Sequence, residues 1–290
     1  MNTNPLEIRG LEKRYDKFHL GPIDVTVPKG AIYGFIGPNG AGKTTTIDLI
    51  FGMGEENAGS IRVLGFDHRR DEVAMKQRVG YVSPDLNYGA WGRVDRAIRF
   101  IRSFYPAWDD AYCARLMESF HLGPKEKVAE LSFGARTKLA MVMALSWRPE
   151  FLILDEPLVG LDAISKHEVF SELLAAVREE QRTVLISSHD LADLERFADH
   201  VGMINKGRML FEGETAEVVE RYRVVDFVTS EAADFKNSKG LIVQARDRNR
   251  WRVLLDLSVT PLDWIKSRGG VEVAATPVTL EELFVALAKE

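Results

Sequence analysis

Ile32-Tyr-Gly-Phe-Ile36 runs without a break into Gly37-Pro-Asn-Gly-Ala-Gly-Lys43-Thr44-Thr45, and this stretch decides how the chain is built. Five uncharged residues read as a strand buried on both faces, and residues 45–51 read as a helix. Between them stand glycine, four residues, and Gly-Lys-Thr, the spacing of a loop whose backbone N–H groups wrap phosphate. Gly40 and Gly42 permit the turn, and the helix that follows offers its positive N-terminal end. Gly37, Pro38, Asn39, Gly40, Ala41, Gly42, Lys43, Thr44 and Thr45 therefore form the expected cradle. Lys43 reaches the terminal phosphates, and the Thr44 hydroxyl is a candidate Mg²⁺ ligand.

A phosphate cradle needs a carboxylate on a neighbouring strand, and Phe151-Leu-Ile-Leu-Asp155-Glu156 supplies four apolar residues ending in two acids. Asp155 is the expected holder of Mg²⁺, and Glu156 the expected general base toward the attacking water. Residues 6–9 and 183–188 are further short apolar or β-rich runs. Residues 163–180 carry Val169, Leu173, Leu174 and Val177 at helical spacing, so strand, helix and strand follow one another as in a parallel sheet. Residues 95–120 are helical in pattern but interrupted at Tyr105-Pro106, which predicts two helices with a break. After about Arg221 the pattern changes to strands at 224–229, 240–245 and 251–257, closed by an amphipathic helix at 280–288.

Composition narrows the functional classes. With 46% hydrophobic and 28% charged residues, the chain has the make-up of a folded globular protein. Its 38 basic against 43 acidic side chains, net −5, argue against a general basic field for gripping nucleic acid, so no nucleic-acid partner is expected. The single cysteine, Cys113, cannot form an internal disulfide, which fits a reducing cytoplasm. The first residues lack the basic start and apolar run of a secretory signal, and no stretch is long and apolar enough to span a bilayer. Any membrane role is expected to come through a partner.

The layout resembles the ATP-binding subunit of an ABC transporter over roughly residues 4–220. Besides the two sites above, Leu131-Ser132-Phe133-Gly134-Ala135 precedes Asp155, His189 ends the run 183–188, and Gly160-Leu161-Asp162 follows the two acids. The resemblance implies that Tyr15 stacks on adenine and that His189 bonds the γ-phosphate and attacking water beside Glu156 and Lys43. It further implies that Asp162 lies in a loop crossing a dimer interface, and that Ser132 and Gly134 close on nucleotide bound by the opposite subunit. Residues 207–213 look like the family's closing hairpin.

Two departures stand out. The usual signature Leu-Ser-Gly-Gly-Gln has Phe133 for its first glycine and Ala135 for its glutamine. In residues 79–85 the family's metal-sensing glutamine aligns with Pro84, which leaves Asp85 as the candidate third metal residue. Tyr88 and Trp91, flanked by Gly89 and Gly92, are expected to help form a docking groove for a membrane subunit, whereas Phe100 and Phe104 are expected to pack the helical insertion.

The fold expected from residues and resemblance together is α/β: a P-loop ABC-type ATPase with a mostly parallel core sheet, an antiparallel N-terminal part and a helical subdomain near 86–147. The ATPase domain is placed at 1–221 and a small accessory α+β domain at 222–290. The implied cofactors are ATP and Mg²⁺. The implied partners are a transmembrane permease and a second copy or homologous ATPase subunit, at the inner face of the cell membrane and with export as the direction. The competing readings are a non-transport ABC ATPase and a regulatory nucleotide-binding module.

Overall fold

Three sheets organise the computed structural model, which describes residues 4–84, 88–229, 235 and 238–289. The first is antiparallel and built from β1 (Leu6–Arg14), β2 (His19–Val27), β4 (Ala58–Val63) and β5 (Phe66–Asp67), in the order β2-β1-β4-β5. Alternation sets its faces: Ile23, Val25 and Val27 are buried while Asp24 and Thr26 face out.

The second sheet has the order β10-β9-β3-β8-β7-β6, with β3 (Ile32–Ile36), β6 (Val79–Val82), β7 (Phe151–Leu154), β8 (Thr183–Ser188), β9 (His200–Asn205) and β10 (Arg208–Glu214). From β9 through β6 every neighbouring pair is parallel. All residues of β3, β7 and β8 are buried, which is why their sequences read as apolar runs and not as alternations. The core beneath joins Phe35, Ile47, Phe151, Ile153 and Leu185 to the inner face of the antiparallel sheet.

The helices of this part are α1 (Lys43–Ile50), α2 (Glu72–Lys76), α3 (Val94–Arg102), α4 (Asp110–Ser119), α5 (Phe133–Leu145) and α6 (Ala163–Glu180). The expected break falls between α3 and α4, where Asp109 caps α4 by accepting from the Tyr112 amide at 2.8 Å. Every residue from Thr137 to Leu145 in α5 is buried, so this helix carries the core of the insertion. Phe100 and Phe104 correct the reading of their role. They stand 41% and 61% exposed, stacked edge-to-face on each other at 5.1 Å, because the buried stripe of α3 is Val94 and Ala97.

The chain divides into two compact units, residues 1–189 with 197–212, and residues 190–196 with 213–290. The second holds α7 (Leu191–Glu195), α8 (Thr215–Arg221), α9 (Leu262–Ser267), α10 (Leu280–Leu287) and the third sheet. That sheet is antiparallel, in the order β12-β13-β11-β14, from β11 (Tyr222–Val228), β12 (Leu241–Asp247), β13 (Arg250–Asp256) and β14 (Val271–Pro277). One face buries Val225, Phe227, Trp251 and Val253 with Ile265 of α9. A capping box between Thr279 and Glu282 starts α10, and the Leu280 amide donates to Glu195 of α7 at 3.0 Å.

Candidate active site

Because β8 lies between β3 and β7, the loops leaving the C-terminal ends of all three strands converge at one edge of the parallel sheet. The first is the glycine loop. Its Gly42 adopts φ 113°, and a Cβ there would lie 2.8 Å from Leu20; at Gly37 it would lie 2.2 Å from the Ile204 carbonyl. Both positions need glycine for space, and Gly42 also for its backbone angle. α1 begins at once, with Thr46 bonding the Gly42 carbonyl through its amide at 2.9 Å and its hydroxyl at 2.8 Å.

Lys43 is 4% exposed, and its ammonium donates to the carbonyl of Gly37 at 2.6 Å. The same nitrogen stands 2.9 Å from Glu156 Oε1, and Glu156 Oε2 meets Nδ1 of His189 at 2.8 Å. The structure thus brings Lys43, Glu156 and His189 into one row. Glu156 sits at φ 47°, in the left-handed region, and this backbone turn aims its carboxylate back across the strand ends.

Ser187, which the sequence reading did not single out, ties the row together. Its hydroxyl donates to Asp155 Oδ1 at 2.5 Å and accepts from the Glu156 amide at 2.9 Å. The signal for it was a pair of serines ending the apolar run of β8. Asp155 is 3% exposed, and burial lifts its carboxyl above the ordinary carboxylate range against the opposing hydrogen bonds from Ser187 and Thr44. The Thr44 hydroxyl and the Asp155 carboxylate are therefore side by side at the phosphate loop. Two hard oxygen donors, one of them an anion raised by desolvation, form a site that a small divalent cation relieves, so these residues fit Mg²⁺. Pro84 follows β6, and Asp85 lies outside the described residues.

Tyr15 is 53% exposed and packs on Phe18 with ring centroids 6.5 Å apart, and Phe18 in turn borders Gly42. An accessible aromatic face thus stands beside the cradle. Ser132 and Asp162 are helix caps: Ser132 accepts from Ala135 at 3.1 Å and Asp162 from Ser165 at 2.8 Å. Backbone bonding to Ser165 holds the Asp162 carboxyl below its ordinary range. The described hydrogen bonds of Ser132 and Asp162 are local, so neither is joined to the phosphate loop of its own chain. Phe133 turns toward the segment after Glu156, where a Cβ on Gly160 would come 2.8 Å from its ring, while Gly134 faces Leu161. The large residue at 133 is accommodated because position 160 is bare.

A groove of about 320 Å³ opens elsewhere in the same unit, with Phe51, Tyr81, Tyr88, Tyr105 and Trp147 among its walls. Tyr105 and Trp147 stack at 4.3 Å, and burial pushes the Tyr88 hydroxyl up to about 12. Trp91 is not among its walls; it packs between Tyr88 at 6.0 Å and Phe100 at 4.8 Å.

A phosphate loop, a braced acidic pair and a histidine at the C-terminal edge of a parallel sheet define a P-loop nucleotide hydrolase. The ABC transporter family matches residues 20–159. The ABC transporter ATP-binding protein YtrB of Bacillus subtilis is 30% identical over 218 residues, covering 75% of this chain and 74% of that protein. A Nod factor export ATP-binding protein I of Burkholderia orbicola is 33% identical over 231 residues, covering 76% and 74%. A solved ATP-binding subunit of an ABC transporter superposes with a TM-score of 0.67 at 27% identity, over 76% of this chain and 92% of that one. The chain belongs to the ABC transporter family, as an ATP-binding subunit. Members hydrolyse ATP to power transport, and they dimerise and work with transmembrane permease subunits. Among the described residues, no helix is long and apolar enough to cross a membrane.

Proposed function

We propose that this chain hydrolyses ATP at sites shared between two copies of itself and drives a separately encoded permease in the direction of export. The observation that carries the reading is the row Lys43–Glu156–His189 at the mouth of the phosphate loop. In the structure the ammonium of Lys43 pairs with Glu156. A phosphate chain entering the cradle offers Lys43 a more highly charged partner, so Lys43 turns to the phosphate and Glu156 is released. Glu156, still held by His189, then accepts a proton from water aligned on the γ-phosphate, while His189 orients that water and the phosphate oxygen. Thr44 and Asp155 are the residues that would hold Mg²⁺, which supplies charge neutralisation on the phosphates when bound. Tyr15 lies under adenine.

Ser132, Gly134 and Asp162 serve the opposite copy in this reading. Their exposed neighbours Phe133, Val159 and Ile164, the last 74% exposed, suit a surface that is covered when two copies close. The aromatic groove receives a cytoplasmic segment of the permease, with Tyr88 in its wall and Trp91 behind. The ATPase domain is taken to span residues 1–221, which includes α7 and α8 although both belong to the second compact unit, with 222–290 as an accessory domain, and the complex works at the inner face of the cell membrane. The export direction takes its support from the relatives named for Nod factor export.

Phosphate release from ATP by the full chain tests the reading. Activity that requires Mg²⁺ and falls at least about a hundredfold in both Lys43→Ala and Asp155→Asn is the expected result; undiminished release by either variant contradicts it.

A further inference from the structure

Opposite the catalytic edge, the N-terminal ends of four parallel-sheet strands enclose a second cavity, of about 610 Å³, within the range of small-molecule sites. Its walls include Lys29 before β3, Arg78 before β6, Arg148 and Glu150 before β7, and Arg182 before β8. Glu180, at the end of α6, completes the charged set. The loops are stapled to one another. The Gly30 amide donates to Thr183 Oγ1 at 2.9 Å, the Thr183 amide to the Glu150 carbonyl at 3.2 Å, and the Glu150 amide to the Arg78 carbonyl at 3.1 Å. A site built on such ends is held as rigidly as the sheet itself.

The charges are unbalanced. Four cationic side chains line the cavity against two carboxylates, and both carboxylates are already engaged. Glu150 accepts both arms of Arg78, at 2.5 and 2.6 Å, and Glu180 is shared between Arg148, at 2.5 Å, and Arg182. Arg182 is 4% exposed; its Nη2 is in ion-pair contact with Glu180, but among the described residues its Nη1 has no hydrogen-bond acceptor. Its guanidinium lies over the Tyr112 ring, 5.7 Å from the centroid, and the Arg148 guanidinium stands 4.6 Å from the same centroid. Stacking supports the plane of the group, and with Nη2 on Glu180 it is the Nη1 end that needs an oxygen acceptor. Burial outweighs Glu180 in lowering the pKa of Arg182, so the ion pair does not fully compensate the buried cation.

We infer that this cavity is a binding site for a small oxyanion ligand, bearing phosphate or carboxylate groups, which the N–H edge of Arg182 and the ammonium of Lys29 receive together. Guanidinium forks match the planar oxygen pairs of both chemistries. The Gly30–Thr183 hydrogen bond brings the segment of Lys29 against the segment of Arg182. The ligand is distinct from the hydrolysed nucleotide, whose cradle lies at the other end of the same strands.

The test is calorimetric titration of inorganic pyrophosphate and of citrate into the full chain carrying Lys43→Ala, which disables the phosphate loop. One saturable event per chain is expected for at least one probe. It weakens about tenfold or more in Lys29→Glu, an exposed position whose exchange leaves the fold intact, in keeping with the loss of one charge-assisted hydrogen bond. Arg182→Gln has the same effect where circular dichroism shows it folded; where it is unfolded, Lys29→Glu decides alone. Tighter binding of pyrophosphate assigns the site to phosphorylated ligands, and tighter binding of citrate to carboxylates. Absence of saturable binding by both, or binding that Lys29→Glu leaves unmoved, overturns the inference.

Discussion

His189 and Glu156 share a 2.8 Å contact between Nδ1 and Oε2, while the other oxygen of Glu156 lies 2.9 Å from the ammonium of Lys43. The carboxylate is therefore oriented from one side and restrained from the other. Removal of the orienting group has a specific signature. His189→Ala is expected to lower kcat about a hundredfold or more and to leave ATP binding within a few-fold of the parent, since the cradle and Lys43 are untouched. Fluorescent-nucleotide titration beside steady-state phosphate release separates the two quantities. A large loss of ATP affinity with kcat preserved would assign His189 to ground-state binding.

Ser187 supports two groups at once, one through its proton and one through its lone pair. Ser187→Ala strips a buried hydrogen-bond partner from the Asp155 carboxylate and from the Glu156 amide, with an expected cost of about 1–3 kcal/mol in urea unfolding. Activity falls with it, because Glu156 depends on that amide contact for its backbone turn. A stability unchanged from the parent would show that water replaces the hydroxyl without loss.

Phe133 and Gly160 form a size-matched pair. Gly160→Ala meets the Phe133 ring at 2.8 Å and a backbone φ of 71°. Phe133→Gly restores the family's usual residue and removes the steric part while leaving the backbone part. A double-mutant cycle is thus expected to return a coupling of about 0.5–3 kcal/mol, with Gly160→Ala less damaging in the Phe133→Gly background. Strict additivity would mean that the two segments do not brace each other.

In the second unit, Asp256 accepts from Nε of Arg221 at 2.9 Å and from Nη2 at 2.5 Å, and from the Ser258 hydroxyl at 2.6 Å. Burial alone would raise its pKa, but the hydrogen bonds from Arg221 and Ser258 prevail and hold the carboxyl below its unfolded value of 3.8. The sign follows from linkage: a depressed carboxylate contributes its full stability above the unfolded value and loses it as pH falls through the folded one. Asp256→Asn is therefore expected to cost about 1–3 kcal/mol at neutral pH, with a difference from the parent that shrinks below pH 3.8. Urea melts as a function of pH, followed through the aromatic cluster around Trp251, measure this. A difference independent of pH would exclude the charge as its source.

The legible parts of the molecule are those in which one residue pattern has one structural solution. β3, β7 and β8 announced themselves because burial on both faces demands uninterrupted apolar residues, and the glycine loop because two of its positions admit no Cβ. β14 carries no such signal: Val271-Glu-Val-Ala-Ala-Thr-Pro277 is an edge strand with almost every residue exposed, so burial imposes no pattern on it. α9, six residues long with Ile265 as its only buried member, is too short for a period to show. Phe100 and Phe104 obeyed helical spacing yet face outward, because spacing identifies a common face without saying which way it points. Ser187 is not legible from sequence, since its role lies in a hydrogen bond to Asp155 at the end of β7, a neighbour that only the sheet order supplies.

The aromatic groove leads to a prediction about coupling. Met53 lies in its wall and is 59% exposed, so Met53→Asp places a charge in the groove at little cost to the fold. Basal phosphate release by the isolated chain is expected to stay within about twofold, while co-purification with the cognate permease is lost. Retention of the permease by the variant would move the docking surface elsewhere.

In the proposed function Glu156 is the base that activates water, and one substitution addresses that role directly. Glu156→Gln keeps the shape of the side chain and removes its charge, so size-exclusion chromatography with saturating MgATP is expected to show a stable dimer holding two unhydrolysed nucleotides, with turnover reduced at least about a hundredfold. Turnover at the parent rate, with the chain remaining monomeric in MgATP, would contradict both the role given to Glu156 and the closed dimer built on it.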